Sequence, residues 1–242
     1  MEILTNLSGQ ENTIYFGKNK IYINNNPQVT LSSEFKTELA LQISRIVGKT
    51  FKPDMGVEEV IATAIGLPNR GKILARMVDE NGLLQAFVAA QFLNIDGSPV
   101  LFDGVSVFHL STGHSISCDF GGEAMILVKA IMNELPFMPD YVSGFTQSPR
   151  IYELFTRFST IHPSPMVNTE ILKIHQLVSE FLGRPSEVVF KDKTKSCFYQ
   201  SRPTSKNEAI NQWWYHELGI VPENGDLVLL VGKIKDKFKM QK

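Results

Sequence analysis

A short stretch of this sequence carries four side chains that could move a proton or attack a carbonyl. Asp103, His109 and His114 could each act as a general base, because a carboxylate and a neutral imidazole accept protons. With either histidine as its base, Cys118 would be the nucleophile of a thiol hydrolase. Against the hydrolase hypothesis, the sequence has no G-x-S-x-G elbow and no parallel βαβ series.

The stretch DYVSGFTQSPRIYELFTRFS, residues 140–159, predicts a short strand, a polar turn and a helix. Ser148 is a good N-cap, and Pro149 suits the first helical turn, where its missing N–H would be unpaired anyway. Four apolar residues recur at i, i+3, i+4 and i+7 and predict one buried helix face: Ile151, Leu154, Phe155 and Phe158.

This arrangement resembles the strand-5 to helix-4 junction of the GNAT acyltransferases, whose pattern is roughly N-P-R-A-x-x-L-Y-e-k-x-G-F. The residues at its marked positions are Ser148, Pro149, Arg150, Ile151, Leu154, Phe155, Arg157 and Ser159. The resemblance implies an N-acyltransferase that works by direct attack in a ternary complex. Its co-substrate would be acyl-CoA or acetyl-CoA, or an acyl carrier protein, and its acceptor a small-molecule or peptide amine.

The same resemblance implies a donor-binding loop. Against the family pattern V-x-P-x-x-R-G-x-G-x-G, Val107 and Gly113 keep their places, and Thr112 stands for the arginine. Serines replace the two later glycines, and serine can still present N–H and hydroxyl donors to phosphate. The implied pyrophosphate loop is Thr112, Gly113, His114, Ser115, Ile116 and Ser117. A second alignment would place the loop over residues 118–122. In that alignment the negative charge of Asp119 would repel the phosphate.

Further roles follow from the family pattern. Backbone N–H groups near Val105 and Val107 would polarise the thioester carbonyl, and Ser148 would stand beside the donor. Where many members keep a tyrosine that protonates the leaving thiolate, this chain has Phe155, and Tyr152 lies three residues earlier. Water or another group, such as the displaced Tyr152, could supply the proton. The thiolate could instead leave unaided, because a thiol has a pKa of roughly 8.5, or catalysis could be lost.

The composition is that of a globular protein. The chain has 242 residues, 43% of them hydrophobic, and a formal net charge of −1, which indicates no general attraction to nucleic acid. Cys118 and Cys197 are far apart and predict free thiols in a reducing compartment, so we expect a cytoplasmic protein. No Cys/His cluster has zinc spacing, no apolar run is long enough to span a membrane, and we expect no metal.

The order of predicted elements is hairpin, two helices, three antiparallel strands, helix, strand and helix. It predicts a mixed α/β fold with a mostly antiparallel sheet flanked by helices, a GNAT-like core over residues 12–160, and an extension over 161–242 packed on it. The first helix should begin at Ser33 and end at Gly48. The extension should hold helices over 169–182 and 207–218, with His175 on a half-exposed side, and strands over 187–190, 196–200 and 226–232.

The main alternative is a non-catalytic GNAT-like module that binds a ligand or a protein. The arginine, glycines and tyrosine of the GNAT pattern are missing here, which favours this alternative. Turnover of a thioester would distinguish the two hypotheses. The sequence leaves open whether sheet edges pair in a homodimer.

Overall fold

The computed structural model describes residues 2–3, 11–50, 72–108, 123–135, 137–166, 168–184, 187–191, 199 and 201–239. The chain forms two compact units. The first unit comprises Met1–Asn94 and Leu101–Met138, and the second comprises Ile95–Val100 and Pro139–Lys242. The predicted division into a core over 12–160 and an extension stays a prediction.

The first unit is built on strands in the order β2-β3-β4-β5-β6, with β1 paired to β5. Its strands are β1 (Glu2–Ile3), β2 (Glu11–Phe16), β3 (Asn19–Asn25), β4 (Lys72–Val78), β5 (Leu84–Ile95) and β6 (Ser98–Phe108), whose tips at residues 95 and 98–100 belong to the second unit. Its helices are α1 (Pro27–Thr30), α2 (Ser33–Thr50) and α3 (Glu123–Glu134).

The core of the first unit forms between α2 and the sheet. Apolar residues of the helix pack against β4 and β5, and the members of this cluster are Leu39, Ala40, Ile43, Ile46, Leu74, Val78, Leu84, Phe87 and Ala89. The helix runs two residues beyond its predicted end at Gly48. A glycine inside a helix costs only about 1 kcal/mol, which the packing of the preceding turns outweighs.

The second unit is organised around one buried strand. Its elements are β7 (Tyr141–Thr146), α4 (Pro149–Phe158), β8 (Ser159–His162), α5 (Thr169–Phe181), β9 (Val189–Lys191), α6 (Glu208–Gln212), a π-helical turn (Trp213–Glu217), a 3₁₀ turn (Pro222–Asn224), β10 (Asp226–Ile234) and α7 (Asp236–Lys239). Strand β10 pairs antiparallel with β7, β8 and β9. Because β10 is buried on both faces, its sequence is a nearly continuous run of apolar residues.

The predicted fold class, a mixed α/β protein with a mostly antiparallel sheet flanked by helices, is confirmed. Two details differ from the prediction: β8 directly follows α4, and the helix expected over 207–218 is α6 continued by a π-helical turn. The second of the two predicted helices, at residues 57–65, lies outside the described residues. So does the strand expected over 196–200, except for Tyr199.

Candidate functional site

The predicted site residues before position 120 fall into two groups. Strand β6 contains the backbone of Asp103, Val105 and Val107, as predicted. His109, Cys118 and the whole loop over 112–117 lie outside the described residues. The candidate site is therefore built from the junction between β7 and α4, in the second unit.

Ser148 caps α4, as its residue type and position predict. Its backbone is extended, with φ −106° and ψ 122°, and its Oγ accepts a hydrogen bond from the Arg150 N–H at 3.3 Å. Its own N–H donates to Thr146 Oγ1 at 2.9 Å, and its carbonyl accepts from the N–H of Ile151 at 3.1 Å. These bonds satisfy backbone donors that a helix start leaves free, and they fix the path of the chain out of β7.

The buried face of α4 is rotated from the predicted one. Tyr152, Phe155 and Phe158 are buried, whereas Ile151 and Leu154 are only half-buried. Both sets share one helical period, so the spacing alone predicts the helix but not the exact centre of its buried face. The rotation brings Tyr152 into the interior of the second unit.

Tyr152 lies in an aromatic cluster with two tryptophans of the π-helical turn. Its ring centroid is 4.7 Å from that of Trp213 and 5.5 Å from that of Trp214. Trp214 is fully buried, and its indole Nε1 has no hydrogen-bond partner among the described residues. Burial raises the pKa of Tyr152, so its phenol stays protonated at neutral pH.

Phe155 occupies the position where the GNAT pattern carries its tyrosine. Its side chain is buried, and its ring packs 5.4 Å from the ring of Phe158. A phenylalanine has no ionisable proton, so this position contributes apolar packing to the unit and cannot protonate a leaving group.

The opposite flank of α4 is held by a polar network that the sequence did not reveal. Glu153 accepts a hydrogen bond from Arg157 Nη2 at 2.7 Å through Oε1 and one from the Ser205 hydroxyl through Oε2. Asn211 accepts from the Ser205 N–H at 2.7 Å and donates to its carbonyl at 3.0 Å. Burial would raise the pKa of Glu153, but the bonds from Ser205 and Arg157 outweigh it and lower that pKa.

His162 and His175 form a second buried cluster, which corrects the expected half-exposed position of His175. Their rings meet edge to face with centroids 4.9 Å apart, and His175 is fully buried. No ring nitrogen of either residue has a hydrogen-bond partner of normal geometry among the described residues. Burial lowers the pKa of both, that of His175 to about 4 with help from His162 and weak opposition from the Leu229 backbone.

Within the described ranges, no three His, Cys, Asp or Glu side chains lie close enough to bind a metal ion together. None of the helices described is long and apolar enough to cross a membrane.

Comparisons by sequence find no family model and no curated protein that matches this chain. Comparison by structure finds a putative phosphinothricin N-acetyltransferase at 12% identity and TM-score 0.40, covering 89% of this chain and 99% of that one. It also finds a GCN5-related glucosamine N-acetyltransferase region of a fungal multi-domain β-N-acetylglucosaminidase, at 12% identity and TM-score 0.42, covering 86% of this chain and 26% of that one.

A GCN5-related N-acetyltransferase from Kribbella flavida is also similar, at 8% identity and TM-score 0.36, covering 88% of this chain and 98% of that one. With identities of 12% or less and TM-scores below 0.5, these similarities are remote, and they assign no family, substrate or activity to this chain.

Proposed function

We propose that this chain is an N-acyltransferase that moves an acyl group from acyl-CoA, or from an acyl carrier protein, to an amine. The observation that carries the proposal is the junction from β7 through Ser148 and Pro149 into α4. Its sequence resembles the acyl-transfer junction of the GNAT pattern, and its strand, cap and helix form at the residues the pattern requires.

Acyl transfer of this kind needs a polarised thioester carbonyl and a neutral amine that attacks it directly. In the proposal, the amine nitrogen bonds to the carbonyl carbon and the carbon–sulfur bond breaks, with release of the donor thiol. Backbone N–H groups of β6 near Val105 and Val107 would polarise the carbonyl. Asp103 or His109 would take the proton that the amine loses.

Tyr152 is the proposed source of the proton for the leaving thiolate. A tyrosine phenol has an ordinary pKa of about 10 and is therefore protonated at neutral pH, and burial raises the pKa of Tyr152 further, so the phenol carries the proton that a donor must supply. Its ring is held against Trp213 and Trp214, an arrangement that restricts its orientation. Phe155, at the position of the pattern's tyrosine, cannot take this role.

The donor would be held by the loop over 112–117, which retains Gly113 and small residues but lacks the arginine of the pattern. A carrier protein presents the pantetheine arm without the nucleotide, so it would need fewer phosphate contacts than CoA. For this reason, the proposal includes an acylated carrier protein as an alternative donor to acyl-CoA.

The test is release of free thiol from a panel of short and long acyl-CoAs and of acylated carrier proteins, each with mixed amines. We expect saturable release that requires an amine, with a preference for one acyl length. Absence of both binding and release with every thioester in the panel would overturn the proposal.

A non-catalytic module of the same fold is the second candidate, because Phe155 replaces the tyrosine of the pattern. Such a module would bind a thioester or a protein without turnover. Calorimetric titration of the same donors would then give saturable binding with no thiol released by any amine.

A further inference from the structure

Strand β2 is the outer strand of the first unit's sheet. It pairs with β3 in an unbroken antiparallel register from Glu11 opposite Asn24 to Phe16 opposite Asn19. No other strand in the described part of the chain pairs with its second edge. An unpaired edge offers a row of backbone N–H and C=O groups to another strand.

The hairpin decides which backbone groups of β2 face outward. Residues 17 and 18 form a two-residue turn, and Gly17 has φ +59°, the positive φ that a type II′ turn requires at its first position. Phe16 and Asn19 therefore form the hydrogen-bonded pair nearest the turn. Because this pattern alternates, the N–H and C=O groups of Glu11, Thr13 and Tyr15 point away from β3.

This edge lacks the features that usually prevent pairing. It has no proline and no bulge, and its last four residues, Thr13 to Phe16, all favour strands. Two large aromatic side chains are exposed on opposite faces of the strand, Tyr15 at 70% and Phe16 at 48%. An edge of this kind is open to addition of a strand.

The charges at the two ends of β2 fit a second copy of the same strand. Glu11 begins the strand, where its carboxylate forms a salt bridge with Arg76 at 2.7 Å while the side chain stays 38% exposed, and Lys18 lies exposed in the turn after the strand. Antiparallel apposition of two copies brings the acidic end of each strand to the basic end of the other. Only registers that place outward-facing residues opposite one another allow the ladder, so odd-numbered residues must face odd-numbered ones.

We propose that two copies of this chain pair antiparallel along β2 and form a homodimer with a continuous sheet. The register that suits the charges places Ile14 opposite Ile14 of the second copy and Thr13 opposite Tyr15. It sets Glu11 opposite Gly17, next to Lys18. The paired side chains are β-branched and aromatic, the combinations that stabilise neighbouring strands. This inference does not depend on the proposed acyl transfer.

Analytical ultracentrifugation of the full chain tests the proposal. We expect a species of about twice the monomer mass of 27.2 kDa, with dissociation on dilution. Thr13→Pro removes an outward N–H without touching a β3 bond, and Tyr15→Lys places a charge on the edge. Each should raise the dissociation constant about 10-fold or more, and about 10-fold corresponds to 1.4 kcal/mol. The matched control Leu41→Lys, at a side chain exposed to 48% on α2, should leave it unchanged.

A cysteine at the predicted two-fold position tests the register independently. Side chains directly opposite one another across an antiparallel pair have Cβ atoms about 4.5–5.5 Å apart, near the separation that a disulfide bridges. Oxidised Ile14→Cys should therefore give a covalent dimer, while oxidised Leu41→Cys and the unchanged chain should not. A monomer at every concentration, or a dimer insensitive to both Thr13→Pro and Tyr15→Lys, would overturn the proposal.

Discussion

Ser148, the N-cap of α4, and Tyr152 within the helix show what a single side chain decides in this protein. Ser148 was predictable, because an N-cap depends only on residue type and on the chain next to it. The surroundings of Tyr152 were not predictable, because its neighbours Trp213 and Trp214 come some sixty positions later. The sequence pattern predicted the helix, and a distant aromatic pair determined which of its side chains are buried.

Replacement of Ser148 by alanine should destabilise the protein. The variant loses the hydrogen bond from the Arg150 N–H to the serine Oγ, and loss of an N-cap costs about 1 kcal/mol. Ser148→Asn keeps a capping oxygen and should retain most of the stability. Urea unfolding of the two variants beside the unchanged chain makes the comparison, and equal stability of all three would show that the cap contributes nothing.

Tyr152→Phe separates the hydroxyl of this residue from its ring. The ring contacts with Trp213 and Trp214 remain, so the free energy of unfolding should change little. Under the proposed function, loss of the proton donor should slow amine-dependent thiol release about 100-fold. Steady-state rates and urea unfolding on the same preparation give both quantities, and full activity in the variant would remove Tyr152 from the mechanism.

At the scale of elements, strands and helices with local signals were predicted well and those defined by distant partners were not. Strand β10 and helix α5 lie close to their predicted bounds. Strand β8 was missed because no turn residue separates it from α4, and its partners on β10 are about seventy positions away. His175 was misplaced for the same reason, since packing against β8 and β10 decides which face of α5 is buried.

The pairing of β8 with β10 depends on a close approach at Gly232, which lies opposite Ile161. A Cβ atom at position 232 would lie 2.4 Å from Ser159 Oγ and 2.9 Å from Ile161 Cγ2. Gly232→Ala should therefore destabilise the protein by about 1–3 kcal/mol, as overpacking does. Urea unfolding measures this, and the double variant with Ser159→Gly should recover part of the loss. A Gly232→Ala chain as stable as the original would contradict the described approach.

At the scale of the whole molecule, folding buries the imidazoles of His162 and His175, and no acidic side chain in the described part of the chain forms a hydrogen bond or ion pair with them. Charged side chains of the elements around the pair are engaged elsewhere or exposed: Glu170 bonds Lys233, Lys173 bonds Asp96, Asp226 accepts from the Val221 N–H, and Glu180 is exposed. Protonation of either histidine in the folded state is therefore unfavourable, and the stability of the fold depends on pH.

The direction of this dependence follows from the pKa of His175. In the unfolded chain His175 binds a proton near pH 6.5, whereas in the folded chain it binds one only near pH 4. The stability of the fold should therefore fall as the pH drops between these values. Over this pH range, His175 alone would lower the free energy of unfolding by about 3 kcal/mol. Between pH 7.5 and 5, the carboxylates with lowered pKa, such as that of Glu153, contribute little to the change.

Urea unfolding at pH 7.5 and pH 5 measures this loss. His175→Leu should remove most of the pH dependence, whatever its effect on stability at pH 7.5. His216 is exposed, so His216→Leu should keep the dependence of the unchanged chain. Equal stability of the unchanged chain at both pH values would contradict the buried, unpaired state of the pair.

The most direct test of the proposed acyl transfer is mass spectrometry of the acceptor amines after incubation with donors that carry an isotope label in the acyl group. Under the proposed function, an amine gains the labelled acyl group as an amide, in an amount equal to the thiol released. Thiol release with labelled free acid and no amide would mean hydrolysis. That result, or no turnover of any donor, would contradict the assignment of this chain as an N-acyltransferase.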